Sequence, residues 1–247
     1  MRDLRGAHGR GYTLVTPANH YPSRLPELGD QPVVKLITPR LAPARIGEYL
    51  ITLEAHRGTL RPFAAGRETF LYVLEGAVTL DGDGARAELV AGGYAYLPDT
   101  SPVGLSAGDG GARLLMLRRR YEAASDHDAP TARWGHRGDE PYTPTHVPGF
   151  ARRELLPVAD PSFDFAMSLL RFAPGVGLDT VEIHDEEHGL YMTEGGGMYL
   201  LDADWHEVVA GDFIYMAPYC PQSFTAGGEG PAEYLLYKDT WRDGFDF

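Results

Sequence analysis

The stretch Glu182-Ile183-His184-Asp185-Glu186-Glu187-His188-Gly189 places one carboxylate and two imidazoles at even separations along the chain. Side chains on a β-strand alternate between two faces, so Glu182 and His184 share a face if this stretch is extended. A turn through residues 185–187 then returns His188 to the same place on the next strand. Three converging nitrogen and oxygen donors suit a divalent first-row metal ion, which makes these residues candidate metal ligands.

The same residues fit two other interpretations. The pattern His184-x-x-Glu187-His188 matches an inverted zinc-peptidase motif, in which two histidines on a helix bind zinc and the glutamate acts as general base. Flanking residues that break helices disfavour this interpretation, namely Pro174, Gly175, Gly177, Gly189 and Gly195. In the second alternative, the stretch is a solvated acidic loop, and its histidines have no functional role. A helix over residues 182–188, or imidazoles that point to opposite sides, would exclude the metal site.

Composition restricts the class of protein. Hydrophobic residues make up 43% of the 247 residues and charged residues 23%, which are ordinary values for a globular protein with a buried core. The net charge of −13 disfavours nucleic acids and anionic membranes as partners. The single cysteine, Cys220, cannot form an intrachain disulfide, and no apolar run has the length of a signal peptide or a membrane span. A soluble cytoplasmic protein is therefore expected.

Short runs of β-type residues follow one another along most of the chain. Runs at 49–53, 70–74 and 113–117 are each bounded by Gly, Asp or Pro, a rhythm typical of an antiparallel sandwich or barrel. Two segments lack this rhythm. Residues 1–45 are rich in proline and are predicted to be an irregular N-terminal segment with one candidate strand at 33–37, and residues 121–150 are predicted to be a linker.

The two halves of the chain repeat one pattern at a constant spacing. Leu71-Tyr72-x-x-Glu75-Gly76 recurs as Leu190-Tyr191-x-x-Glu194-Gly195, and each pair is offset by 119 positions, as in 190 − 71. A gap-free offset indicates an internal duplication of one β domain. The same offset gives the first-copy counterparts of Glu182, His184 and His188, which are Phe63, Ala65 and Thr69. The first copy is therefore predicted to be structural.

The spacing around the donors resembles that of the cupin family. The first cupin motif has an initial Gly, a pair of ligands one residue apart, a later ligand and a closing Gly, and the second motif runs from a Gly to a ligand eleven positions later. The matching positions are Gly177, Glu182, His184, His188 and Gly195, then Gly211 and Gln222. The resemblance implies an all-β bicupin, with two tandem double-stranded β-helix (jelly-roll) barrels. Residues 46–120 would form a barrel without metal ligands, and residues 151–247 a metal-binding one.

A permuted ligand set makes the resemblance more specific. The order Glu-x-His-x-x-x-His, a later Gln and the terminal Tyr234-x-x-x-Lys238 are similar to the (S)-ureidoglycine aminohydrolases, bicupins of purine breakdown. That family implies hydrolysis of (S)-ureidoglycine to (S)-ureidoglycolate and ammonia, with Mn²⁺ as cofactor and Fe²⁺, Ni²⁺ or Zn²⁺ as alternatives. It implies the metal ligands Glu182, His184, His188 and Gln222. The implied substrate pocket comprises Glu182, Tyr199, Gln222, Tyr234 and Lys238. Catalytic roles are expected for Lys238 and for Glu182, which we expect to be a proton acceptor that helps the amine to leave.

Other roles remain open at this point. A cupin dioxygenase or isomerase acting on another small acid would require a metal as well, and iron with oxygen uptake would identify the dioxygenase. A non-enzymatic bicupin that binds a small molecule is the third possibility. Tyr199 and Tyr234 fit packing inside a barrel as well as a pocket, and Lys238 fits the protein surface. In every case the expected partner is a small molecule, and the resemblance implies a homo-oligomer.

Overall fold

β-Strands account for nearly all of the regular structure in the computed structural model, which describes residues 5–41, 43–63, 65–82, 85–100 and 102–240. Within these ranges the one helical element is a 3-10 turn at Pro17–Asn19. No helix formed by the described residues has the length and apolar content to cross a membrane. The all-β class predicted from the sequence is confirmed.

Nineteen strands are numbered here in chain order. They are β1 (Ala7–His8), β2 (Tyr12–Val15), β3 (Pro22–Ser23), β4 (Val33–Ile37), β5 (Gly47–Leu53), β6 (Glu68–Gly82), β7 (Ala85–Val90), β8 (Gly93–Leu97), β9 (Val103–Arg119), β10 (Arg133–His136), β11 (Thr143–Pro144), β12 (Phe150–Leu156), β13 (Phe165–Phe172), β14 (His188–Glu194), β15 (Gly196–Leu201), β16 (Asp204–Val209), β17 (Phe213–Met216), β18 (Gln222–Ala226) and β19 (Ala232–Asp239) in the described part of the chain.

Two compact units divide the chain. The first unit is Tyr21–Asp139, and the second unit is Met1–His20 together with Glu140–Phe247. In the first unit a sheet runs in the order β10-β8-β6-β9-β5-β4-β3, with β7 paired to β6. Apolar side chains fill its core, among them the fully buried Leu71 and Leu114. Phe63, the counterpart of Glu182 in the duplication, belongs to this core and is 4% exposed.

The second unit is a sandwich of unequal sheets. Eight strands run in the order β1-β2-β17-β14-β19-β13-β12-β11, and three run in the order β16-β15-β18. Both sheets contribute to one core, which is rich in aromatic rings. Phe172 packs edge-on against Phe224 with ring centroids 5.1 Å apart, and Phe224 meets Tyr234 at 5.5 Å.

Matching strand registers support the inferred duplication. Leu71 pairs with Ala95 across β6 and β8, and Leu190 pairs with Ile214 across β14 and β17, so both partners keep the offset of 119. A buried glutamate is repeated as well. Glu68 accepts a hydrogen bond from the Tyr96 hydroxyl at 2.8 Å, and Glu187 accepts one from the Tyr215 hydroxyl at 3.0 Å.

The candidate strand at 33–37 is present as β4, but the segments predicted to be irregular contain further strands. Within residues 1–45, β2 extends the sheet of the second unit by pairing with β17, and Tyr12 and Leu14 enter its core. Within the predicted linker, β10 pairs with β8 in the first unit and β11 with β12 in the second. These strands are two to four residues long. Strands this short carry too little alternation to be recognised from the sequence, and an edge strand such as β11 tolerates proline.

Candidate active site

The segment that carries Glu182 is extended and is fixed to β18 by one isolated antiparallel bridge. The Glu182 N–H donates to the Gln222 carbonyl at 2.8 Å, and the Gln222 N–H donates to the Glu182 carbonyl at 3.0 Å. Ile183 points outward and is 60% exposed, so the residues on either side of it turn inward. The predicted extended backbone is therefore present without a full strand, and the helical peptidase interpretation is wrong.

The two histidines lie next to each other on the inner side of this segment. The His184 carbonyl accepts a hydrogen bond from the Tyr219 N–H at 2.7 Å, which holds the backbone there. His188 is the first residue of β14 and is 3% exposed. The ring centroids are 4.6 Å apart. The imidazoles therefore meet on one side of the segment, as the even spacing predicts.

Glu182 and Gln222 complete the group around His184. The His184 Nε2 atom lies 3.1 Å from the Gln222 side-chain amide and 4.0 Å from a Glu182 carboxylate oxygen. Among the described residues, His, Cys, Asp and Glu side chains alone form no group of three able to hold a metal ion. A metal site here thus depends on the Gln222 amide and on a small movement of Glu182, whose side chain is 42% exposed and free to adjust.

A cavity of about 220 Å³ opens beside these donors. Its walls include six residues that the sequence indicated, namely Glu182, His188, Tyr199, Gln222, Tyr234 and Lys238. Tyr199 and Tyr234 are each 2% exposed, and the Tyr199 hydroxyl donates to the Gln222 Oε1 atom at 3.3 Å. Burial raises the pKa of both phenols above the ordinary value of 10, so both remain neutral hydrogen-bond donors at neutral pH. His184 touches this group but is not part of the cavity wall.

Several residues near the cavity were not anticipated from the sequence. Arg152 and His146 line it from the neighbouring part of the second unit, and Arg152 forms an ion pair with Glu154. Glu186 lies between His184 and Lys238, with oxygens 2.9 Å from the His184 Nδ1 atom and 3.1 Å from the Lys238 Nζ atom. Arg152 and His146 are distant from the ligand motif in sequence, and Glu186 lies within the motif but meets Lys238 only because β14 pairs with β19.

The electrostatic environment keeps His188 neutral. Burial lowers the pKa of His188 well below the ordinary 6.5, and the nearby His184 and Lys238 lower it further. Its Nδ1 atom lies 3.1 Å from the Glu186 carbonyl oxygen, which can only accept a hydrogen bond. The Nδ1 atom therefore carries the hydrogen. The Nε2 lone pair is left available for an electrophile in the cavity.

Comparisons with known proteins agree with this architecture. A family model described as a cupin domain matches residues 168–237. The (S)-ureidoglycine aminohydrolase of Arabidopsis thaliana is 34% identical over 240 residues, which cover 97% of this chain and 79% of the relative. The enzyme of the same name from Escherichia coli K12 is 33% identical, with 96% of this chain and 90% of the relative covered. The chain belongs to the (S)-ureidoglycine aminohydrolase family. The family predicted from the sequence is thus confirmed.

Solved structures extend the family likeness to three dimensions. Protein Ylba from E. coli is similar with a TM-score of 0.86 and 31% identity, over 98% of this chain and 96% of that protein. A putative glyoxylate induced protein from Pseudomonas aeruginosa gives a TM-score of 0.87 at 26% identity, over 98% and 95%. Oxalate decarboxylase from Bacillus subtilis gives 0.72 at 11% identity, over 96% and 79%, a likeness of fold alone. The predicted bicupin fold is confirmed.

Proposed function

We propose that this protein hydrolyses (S)-ureidoglycine to (S)-ureidoglycolate and ammonia in purine catabolism. The observation that carries the proposal is the match to two enzymes of that name along 96–97% of the chain. The cavity supports it, since a volume of about 220 Å³ suits a small polar acid and its walls combine a carboxylate, a lysine and two phenols. A substrate with a carboxylate, an amine and a ureido group has complementary chemistry.

We propose further that a divalent metal ion is held by Glu182, His184, His188 and Gln222. The His184 Nε2 atom lies 3.1 Å from the Gln222 amide and 4.0 Å from a Glu182 carboxylate oxygen, so these three groups are close enough together to hold one ion. The Gln222 amide would have to turn over so that its oxygen faces the ion, an exchange that hardly alters its shape.

Manganese fits this donor set best. Nitrogen, carboxylate and carboxamide donors without a thiolate favour Mn²⁺ over a structural zinc ion, and Fe²⁺, Ni²⁺ and Zn²⁺ are the alternatives to be tested. When bound, such an ion supplies Lewis-acid polarisation and orientation of the substrate. The chain itself supplies the remaining functions.

Different polar side chains of the cavity bind different groups of the substrate. The Lys238 ammonium group is placed to pair with the substrate carboxylate, and the neutral hydroxyls of Tyr199 and Tyr234 donate to the ureido oxygen. Glu182 takes the proton of the ureido N–H next to the reacting carbon and passes it to the amine, which leaves as ammonia when its bond to that carbon breaks. Water then adds to the resulting imine carbon, and Glu182 takes the proton that the water gives up and passes it to the ureido nitrogen.

An assay of ammonia release tests the reaction directly. Freshly generated (S)-ureidoglycine is supplied to the protein with Mn²⁺, then with a chelator, while oxygen uptake is recorded. We expect ammonia release without oxygen uptake, loss of activity on chelation and recovery when Mn²⁺ is returned. Oxygen uptake that requires iron would instead identify a cupin dioxygenase. Binding of ureidoglycine without turnover under any metal would identify a non-enzymatic bicupin.

We also propose that the protein is a homo-oligomer of the cytoplasm. Three apolar side chains lie exposed on the outer face of the small sheet, and Met198, Trp205 and Val209 are 42%, 54% and 36% exposed. Patches of this kind are typical of protein interfaces. The free thiol of Cys220 suits a reducing compartment. Light scattering should give a multiple of the 27.1 kDa chain mass, and a monomer would contradict self-association.

A further inference from the structure

We infer that Glu186 is the positioning residue of the site, which sets the hydrogen positions of both histidines and anchors Lys238. The inference rests on the proposed metal site, because its purpose is to present two imidazole lone pairs to one ion. Neither the ligand motif nor the family resemblance gave Glu186 a role. The geometry of three contacts assigns it one.

Each polar group of Glu186 has a different partner. One carboxylate oxygen lies 2.9 Å from the His184 Nδ1 atom, and the other lies 3.1 Å from the Lys238 Nζ atom. The backbone carbonyl oxygen lies 3.1 Å from the His188 Nδ1 atom. The Glu186 side chain is 14% exposed, so water competes little for these contacts. One residue thus touches two proposed metal ligands and the cation of the pocket.

These contacts determine which ring nitrogen carries the hydrogen. A carbonyl oxygen and a carboxylate both accept hydrogen bonds, so His188 and His184 each place a hydrogen on Nδ1 and keep a lone pair on Nε2. The His184 contact is close but not well aligned, and the Nδ1 atom has no hydrogen bond of good geometry. Glu186 therefore acts on His184 mainly through the charge of its carboxylate. Partners of this kind orient the ligands of metal sites and raise their basicity.

The neighbouring acids provide an internal comparison. Asp185 is exposed, whereas Glu187 is buried and accepts hydrogen bonds from the hydroxyls of Tyr215 and Tyr237 at 3.0 and 3.2 Å. Three consecutive acids therefore lie in three environments. Only Glu186 directs its carboxylate to a proposed ligand. Asp185 is the matched control for charge, since its removal leaves all three contacts intact.

The first test reads the tautomers in the full-length wild-type protein without added metal or substrate. Ring ¹⁵N chemical shifts distinguish Nδ1–H from Nε2–H imidazoles, and the spectra of His184→Gln and His188→Gln assign the two rings among the 9 histidines. We expect Nδ1–H in both. A hydrogen on Nε2 of either ring would overturn the inference whatever the reaction of the enzyme is.

The second test measures Mn²⁺ affinity by titration calorimetry, again without ureidoglycine. Glu186→Ala removes both side-chain contacts and should weaken Mn²⁺ binding about 10- to 100-fold. Glu186→Gln removes the carboxylate charge as well as the ion pair with Lys238, so its Mn²⁺ affinity should fall nearly as far as that of Glu186→Ala, and a separate assay with substrate should show a raised KM. Asp185→Asn should bind Mn²⁺ as the wild type does. Wild-type affinity in a folded Glu186→Ala, or an equal loss in Asp185→Asn, would overturn the inference.

Discussion

Glu182 is the most exposed of the four proposed ligands, and its carboxylate faces both His184 and the cavity. This position suits a ligand that also handles a proton. Glu182→Gln keeps the shape and an oxygen donor but removes the basic group, so we expect turnover to fall at least about 100-fold while Mn²⁺ affinity falls less than about 10-fold. Steady-state ammonia release and metal titration on the same preparation give the two values.

The control for this substitution is Asp185→Asn, which makes the same charge change at an exposed position nearby in the same segment. Its turnover and affinity should match those of the wild type. Equal losses of turnover and metal affinity in Glu182→Gln would leave the carboxylate as a ligand only, and the proton acceptor would have to be another group.

Substitutions of Tyr234 test whether the residue contributes its hydroxyl to the pocket or only the packing of its ring. Its ring contacts Phe172 and Phe224 with centroids 5.6 and 5.5 Å away, and its edge lines the cavity. Tyr234→Phe should lower kcat/KM about 10-fold with little change in the melting temperature, because the ring remains. Tyr234→Ala should lower the free energy of unfolding by about 3–5 kcal/mol. An unchanged kcat/KM in Tyr234→Phe would assign the residue to packing alone.

Glu48 makes the stability of the first unit dependent on pH. It is buried and one carboxyl oxygen has no hydrogen-bond partner, and burial raises the pKa of Glu48 from 4.5 to about 8. The folded state thus favours the protonated carboxyl, whose stabilising effect is complete below pH 4.5 and is lost as the pH rises towards 8. The loss between pH 4.5 and 7 is on the order of 3 kcal/mol.

Glu48→Gln should remove this dependence. Unfolding by denaturant would be compared for wild type and variant across the range from pH 4.5 to 8. We expect the two proteins to converge at the acidic end and the variant to be the more stable one at the basic end. A difference in stability that stays constant with pH would show that Glu48 does not titrate in the folded protein.

At the level of elements, the ligand segment depends on Gly177. This glycine forms an isolated bridge with Thr225, and a Cβ atom on it would lie 2.4 Å from the Phe224 carbonyl oxygen. Because that neighbour is backbone, the segment would have to move away from β18. Gly177→Ala should destabilise the protein by about 1–3 kcal/mol and weaken Mn²⁺ binding.

Gly230→Ala is the matched control, since a Cβ atom there meets open space. Thermal melting and Mn²⁺ titration of both variants would be compared. Loss of stability without loss of metal affinity in Gly177→Ala would mean that the bridge supports the fold but does not place Glu182.

Strands with long sequence patterns can be predicted from the sequence, whereas short strands cannot. The offset of 119 between Leu71 and Leu190 carries over to their strand partners, because a duplicated core must keep its register. β2 and β10 were missed, since four residues carry too little alternation to separate a strand from a loop. Their pairing is decided by the free edges of β17 and β8, which no local pattern reveals.

The same distinction applies to the candidate site. Even spacing predicts that His184 and His188 meet, because it follows from backbone geometry close along the chain. Glu186 was assigned only to a turn. Its partner Lys238 lies 52 positions further on, since 238 − 186 = 52, and the contact follows from the pairing of β14 with β19. Contacts of this kind become visible only in three dimensions.

At the scale of the molecule, both units have the same fold, but the proposed metal ligands lie in the second unit. Thr69 pairs with Arg118 in the first unit as His188 pairs with Lys238 in the second. In the first unit the Arg118 guanidinium lies 5.3 Å from the centre of the Phe63 ring, which stands in the place of Glu182. The cation of the first unit thus lies over a ring, whereas Lys238 of the second unit pairs with the Glu186 carboxylate. We therefore expect one metal site per chain, in the second unit.

Stoichiometric reconstitution tests the central claim most directly. The protein is stripped of metal, and the rate of ammonia release from freshly generated (S)-ureidoglycine is measured as Mn²⁺ is added in fractions of the chain concentration. The donors of the second unit predict no activity at the start, a linear rise and saturation at one Mn²⁺ per chain. Full activity without metal, or saturation only at two ions per chain, would contradict a single working site built from Glu182, His184, His188 and Gln222.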